Sequence, residues 1–339
     1  MNLERIRVYY ELIRVGIGSE SAKTFPGAPK SFCRINGPCF MLETTCGRYA
    51  MWLVSEEEPQ LLAKLELLRI LGEKGIQGFL FPIRLKNDYF YNVLEDGRLF
   101  YLTDWPELRR ISFRHDLNSL LTLIINFRKV MSPPELSILK IKTPLRNLIE
   151  RYQDMIKSIK SFAMLANFRL HPTMFDRVFL KYWEGIIREA EFAFDLIRSS
   201  AYSNMVNAKE SLRPIINDFS RSNLRALLNG QAICISLKGS VLDAPLTDLA
   251  LLMVKTGRAN RWSHDWYDRI TEAYSGSFPL TNEDLEVIRA YIAFPWESYR
   301  LAARYYHNRV NWPVGVFVEK MKRIAIGEKN RKKLIESLS

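Results

Sequence analysis

Pro214 to Ala250 reads PIINDFSRSNLRALLNGQAICISLKGSVLDAPLTDLA, and this stretch decides the fold. It opens on a polar loop, Asn217-Asp218-Phe219-Ser220-Arg221-Ser222-Asn223, in which Asp218 and Asn223 stand in a D-x-x-x-x-N spacing. Loop Asp and Asn residues commonly bond their own backbone, so a polar turn is one reading of this spacing. Two apolar runs follow, Leu224 to Leu228 and Ala232 to Leu237. They are joined at Asn229-Gly230, a pair that supplies the positive φ a tight hairpin needs. After the second run come Asp243 and then Asp248-Leu249-Ala250, which begins an apolar helical run through Val254. The order is therefore loop, hairpin, helix.

That order resembles the aminoglycoside-phosphotransferase-like superfamily of kinase-like enzymes. Within it, the chain resembles the bacterial spore-coat-protein S-like group, whose active-site region runs H-x-D-x-x-x-x-N, hairpin, I-D-[FW], then D-L-A. Asp218, Asn223 and Asp248-Leu249-Ala250 match; Ile216 stands in place of the His and Ser236 in place of the second magnesium-binding Asp. The resemblance implies that Asp218 is the candidate base for a substrate hydroxyl and that Asn223 is the candidate ligand to magnesium on the ATP phosphates.

Outward from this centre, the composition is that of a folded chain: 339 residues, 47% hydrophobic and 25% charged. No disorder signature is present. The formal net charge is +12. The excess of cations is spread along the chain, with a denser end at Lys320, Lys322, Arg323, Lys329, Arg331, Lys332 and Lys333. Such an excess favours acidic partners. The four cysteines, Cys33, Cys39, Cys46 and Cys234, form no C-x-x-C pair, and the four histidines are scattered, so a zinc site is not expected. Residues 1 to 18 lack the uninterrupted apolar core of a signal peptide, and no apolar run approaches the ~20 residues of a spanning helix. These features lead us to expect synthesis in the cytoplasm, reduced thiols and no membrane span. No nucleotide-binding glycine motif, metalloprotease motif, hydrolase elbow or nucleic-acid module is found.

From Phe32 to Trp105 the pattern predicts a β-rich unit. Strands 39–45 and 48–54 turn at Cys46-Gly47, a helix covers 56–74, and strands at 79–91 and 98–102 flank Asp96-Gly97. The run ends at Thr103-Asp104-Trp105-Pro106, where proline removes a ladder donor. Laid against the related T-x-x-G-x-y-x-L-K hairpin, Trp52 falls where the lysine that contacts the α and β phosphates would be. An indole carries one donor and no charge, so it cannot neutralise phosphate. Glu66 is the matching helix glutamate, and without the lysine it reads as a surface residue. Helical spacing predicts further helices at 116–130, 143–160 and 173–199, then at 262–274, 282–292 with Thr281 as N-cap, 296–307 and 312–326. Phe127-Arg128-Lys129 partly matches a family F-H-K, and Phe294-Pro295-Trp296 with Leu301 to Tyr306 resembles an aromatic helix of the spore-coat group.

The expected fold is α+β and bilobal, with a small β-rich lobe at 1–104 and a helical lobe at 105–339 that carries the hairpin. Two functions share it. One is a catalytically inactive protein that binds other proteins, by resemblance acidic proteins of the spore coat, with no cofactor; its oligomeric state stays open. The other is an MgATP-dependent phosphotransferase acting on a small-molecule hydroxyl, with Asp218 as base. Loss of the lysine and of one metal carboxylate, at roughly 3 kcal/mol of barrier each, costs about 10⁴-fold in rate, which favours the first.

Overall fold

The chain is described from a computed structural model that covers residues 3–129, 141, 143–144 and 146–338. It divides into two units. One comprises Met1–Ser112, Asn118–Lys142 and Ile216–Val241; the other comprises Phe113–Leu117, Thr143–Ile215 and Leu242–Ser339.

The first unit is built on a five-stranded antiparallel sheet in the order β1-β2-β3-β5-β4. Its strands are β1 (Pro29–Asn36), β2 (Cys39–Thr44), β3 (Gly47–Val54), β4 (Asn92–Val93) and β5 (Leu99–Asp104). β3 reads YAMWLV without polar alternation because both faces of the sheet are covered. Side chains alternate along each strand, so Phe40, Leu42, Met51, Leu53, Phe100 and Leu102 form one layer. Val8, Leu12 and Phe25 pack into that layer, Val8 and Leu12 from helix α1 (Leu3–Arg14). The other layer holds Cys39, Ala50, Trp52, Val54, Leu99 and Tyr101, packed with Leu61 and Leu65 of helix α3 (Glu58–Glu73). α1, the short α2 (Ser19–Lys23) and the start of β1 at Pro29 lie ahead of the region the sequence pattern marked.

The hairpin of the central stretch belongs to this unit. β8 (Leu224–Leu227) pairs with β9 (Ala232–Cys234), and β6 (Leu108–Arg110) adds a third antiparallel strand beside β8. Gly230 has φ +91°, as the Asn-Gly signal requires. The β2–β3 turn is Thr45-Cys46, since Gly47 already pairs with Thr44.

The expected strand over 79–91 is not formed. Phe79 bridges Cys234 and Pro82 bridges Thr103 singly, Asp88 takes φ +66°, and regular pairing resumes only at Asn92. Pro82 cannot donate to a ladder, and the left-handed turn at Asp88 ends any extended run. Helix α4 (Leu117–Lys129) matches the predicted helix up to its last residue, Val130, which lies outside the described residues.

Gly78 holds the hairpin to α4. Its carbonyl accepts from Cys234 N at 2.8 Å, its φ is +99°, and an added Cβ would lie 2.6 Å from Leu123 Cδ1 and 3.2 Å from Ala232 O. Gly78→Ala combines a left-handed backbone penalty with a clash. A loss of roughly 2–3 kcal/mol is expected in a urea denaturation series, with the slope unchanged.

The second unit is helical. Its elements are α5 (Leu148–Phe168), α6 (Met174–Ser199), α7 (Tyr202–Asn207), α8 (Leu246–Ala259), α9 (Asp265–Ser275), α10 (Asn282–Ala293), α11 (Trp296–Tyr306) and α12 (Val314–Ser337). Capping boxes start three of them, at Asn147 with Glu150, Thr173 with Asp176, and Thr281 with Asp284. α5 runs eight residues beyond the predicted Lys160 and α12 eleven beyond Ile326. A short pairing of β7 (Arg213–Ile215) with β10 (Val241–Asp243) flanks the loop and hairpin.

The aromatic motif at 294–306 is core. Phe294 stacks on Tyr152 at 4.3 Å, and Tyr305 and Tyr306 lie against Phe175 at 4.3 and 6.0 Å. Arg331, read from sequence as part of a basic tail, is 2% exposed. Its guanidinium reaches Glu189, Glu328 and the carbonyls of Ile292 and Ala293. It is a core residue of this unit, whereas Lys320 stays at the surface with its ammonium 5.1 Å from the Trp312 ring.

Candidate functional site

The polar loop is ordered by its own side chains. Asp218 Oδ1 accepts from Ser220 N at 2.9 Å, closing an Asx turn. Asn217, at φ +56°, donates from Nδ2 to Gly239 O at 3.2 Å. Gly239 packs against this turn so closely that a Cβ there would sit 3.0 Å from that of Asp218.

Asn223 is 6% exposed and uses both ends of its amide. Nδ2 donates to Asp218 O at 3.1 Å and to Cys234 Sγ at 3.6 Å, and Oδ1 accepts from Ser236 N at 3.0 Å. Through Asn223, the loop brings Asp218, Asn223 and Ser236 together. The contacts made are those of a clamp between the loop and the strand end.

Ser236 is 9% exposed; its hydroxyl accepts from Lys238 N at 3.1 Å and shares a hydrogen bond with Tyr101. Burial pushes the Tyr101 phenol well above its usual range. Trp52 lies in the same layer, stacked on Tyr101 with ring centres 6.2 Å apart, and its Nε1 donates to Thr103 Oγ1 at 3.4 Å. Ile233 and Ile235 of the hairpin pack into the layer too. Burial raises the neighbouring Cys39 thiol to about 12, so it stays protonated and unreactive at neutral pH.

Sequence reasoning missed Lys64. It sits on the face of α3 that carries Leu61, Leu65 and Leu68, and a lysine in an apolar stripe was the available signal. Its Nζ lies 2.5 Å from Glu56 Oε2 and 3.1 Å from Lys238 O, with only 13% of the side chain exposed. Glu66 points elsewhere: it is 38% exposed and bonded to Arg69 at 2.6 Å, and that hydrogen bond lowers its carboxyl pKa. An open groove of about 530 Å³ runs along Leu62, Glu66, Arg69 and Glu73.

Pro38, Trp52, Lys64, Tyr101, Ser236 and Lys238 enclose about 20 Å³ of free space, room for roughly one water. Small-molecule sites usually offer about 300 Å³ or more. The enclosed cation, Lys64, is already paired with Glu56. As the side chains stand, that space is too small for a triphosphate. Among the described residues, no three His, Cys, Asp or Glu side chains are grouped to hold a metal ion, and no helix is long and apolar enough to cross a membrane.

The sheet order, the hairpin and the helical majority define an α+β fold of the aminoglycoside-phosphotransferase-like, kinase-like class. Solved structures with this fold include an aminoglycoside phosphotransferase from Alicyclobacillus acidocaldarius. It is 15% identical, with a TM-score of 0.80, and the match covers 93% of each chain. The AMP-bound spectinomycin phosphotransferase is 12% identical with a TM-score of 0.67, covering 94% of each chain. An amicoumacin kinase in complex with AMP-PNP, Ca²⁺ and amicoumacin is 10% identical with a TM-score of 0.62, covering 99% of this chain and 96% of the other. No family model matches the chain.

Proposed function

We propose that this protein is a non-catalytic member of the kinase-like class that works through contacts with other proteins. The observation that carries the reading is the packed layer of Trp52, Tyr101, Ile233 and Ile235, with about 20 Å³ left beside Lys64 and Ser236. In this reading Asp218 and Asn223 are retained as loop-ordering residues, and Ser236 and Trp52 stand at the degenerate metal and phosphate-lysine positions. Residues 1–104 act as the small lobe and 105–339 as the large lobe. Assembly in a spore coat, with acidic partners, follows from the resemblance of the 294–306 helix and from the +12 charge.

A second reading, phosphoryl transfer to a small-molecule hydroxyl with Asp218 as base, draws support from the fold neighbours, whose names are those of phosphotransferases and a kinase. Calorimetric titration of ATP, with and without magnesium, separates the two. The first reading expects no saturable heat at millimolar nucleotide, and Asp218→Ala then costs about 1 kcal/mol of stability from the lost turn bond. Micromolar, magnesium-dependent affinity would sink the first reading and establish the second as the one to pursue.

A further inference from the structure

The turn between α5 and α6 presents five large apolar side chains to solvent within eleven residues. Met164 is 60% exposed, Leu165 55%, Phe168 81%, Leu170 94% and Met174 65%. Scattered exposed apolar residues are ordinary, but a contiguous group of this size at one tip is not.

The tip is held rigid from beneath. Asp176, fully buried, accepts from Thr173 N at 2.7 Å, Arg169 Nη1 at 2.9 Å and Tyr306 OH at 3.0 Å. Thr173 and Tyr305 add a hydroxyl contact at 2.7 Å. The apolar side chains are therefore displayed by an ordered turn.

Charge close to the tip is predominantly positive, with Asp154 and Glu184 lying just behind Lys157 and Lys181. From Met155 to Trp183 the sequence holds five Lys or Arg residues and a single carboxylate, the buried Asp176. Arg169 is consumed by that carboxylate and Lys160 lies 2.8 Å from Glu191, while Lys157, Arg177 and Lys181 are exposed and carry no acidic partner among the described residues. At 1.5 Å of rise per residue, Arg177 and Lys181 lie about 4.5 and 10 Å behind Met174, and Lys157 about 10 Å behind Met164.

An apolar point with cations set back by that distance has the dimensions of an interfacial anchor. Apolar groups enter the headgroup and acyl boundary by about 5–10 Å, and lysine and arginine stay level with anionic headgroups. A protein partner fits less well, because a stable protein interface uses roughly 20–30 residues a side and this tip offers five.

We propose that the α5–α6 turn is a peripheral anchor for a bilayer surface that carries anionic lipid. The anchor is independent of whether the chain turns over ATP. Flotation of the full chain with vesicles of phosphatidylcholine, with and without phosphatidylglycerol, tests it. Binding is expected only to the anionic vesicles and should weaken in high salt. Phe168→Asp/Leu170→Asp should lower it at least about tenfold with the melting temperature unchanged, and neutralising Lys157, Arg177 and Lys181 should lower it about fivefold per charge. Leu170→Asp alone, at the most exposed position, serves if the double variant folds poorly. No flotation with either vesicle, or flotation of the aspartate variants like the wild type, overturns the proposal. So does a wild-type dimer that the aspartate variants abolish while neither floats, which would assign the tip to a second copy of the chain.

Discussion

Arg331→Ala is expected to lower the stability of the folded chain by roughly 3–5 kcal/mol, the cost of leaving buried carboxylates without their cation. The side chain is 2% exposed and joins Glu189 and Glu328 to the last carbonyls of α10, where a positive charge also meets the negative end of that helix. Burial raises the Glu328 carboxyl pKa, with Glu189 and Glu297 adding to the rise, and Arg331 pulls it back down. A carboxyl raised in the folded state favours folding while it is protonated and loses that advantage as pH climbs through its folded value. Removing Arg331 raises Glu328 further, so the variant's deficit should be smallest in acid and grow as pH rises above about 4. Urea unfolding of wild type and variant across pH 4 to 8 measures it, and a pH-independent difference under 1 kcal/mol would refute the assignment. Arg331→Met keeps most of the packed volume and should recover only part of the loss.

Trp52→Ala is expected to cost about 3–5 kcal/mol, through the lost transfer energy of the indole and the cavity left behind. The second consequence is more specific. If Trp52 fills the layer between β3, α3 and the hairpin, its removal leaves an apolar void that free indole can occupy. Indole should then raise the melting temperature of Trp52→Ala and leave the wild type unmoved. A variant as stable as the wild type, or one that indole does not rescue, would show that the layer is not closed by this side chain.

Much of this architecture is legible in the sequence because local spacing carries it. The Asn229-Gly230 turn, the 39–54 hairpin and the helix cap at Thr281 each rest on residues within a few positions of one another. Three features are not local. β3 reads as one apolar run, so its sequence does not say which residues meet α1 and which meet the hairpin. Residues 79–91 have strand-like composition, and only the bridges at Phe79 and Pro82 and the turn at Asp88 reveal that they are not a strand. Lys64 and Arg331 are charged residues whose burial depends on distant partners, Lys238 and Glu189. In the candidate site the residue types at 218, 223 and 236 are legible; their mutual hydrogen bonds and the closure of the space beside Trp52 are not.

The first unit is assembled from three separate segments, and the last of them begins at Ile216. Ile233 and Ile235, which cover the Trp52 face of β3, are therefore made about 180 residues after Trp52 itself. At roughly 5–20 residues per second, a chain emerging from the ribosome covers this face of a strongly apolar strand only in part, with α3, for on the order of 10–40 s before the hairpin is made. Closing so long a loop is slow, and a sheet with an incompletely covered apolar face is prone to associate wrongly in the meantime. Yield during expression should accordingly depend on chaperone supply and growth temperature more steeply than the stability of the finished fold implies.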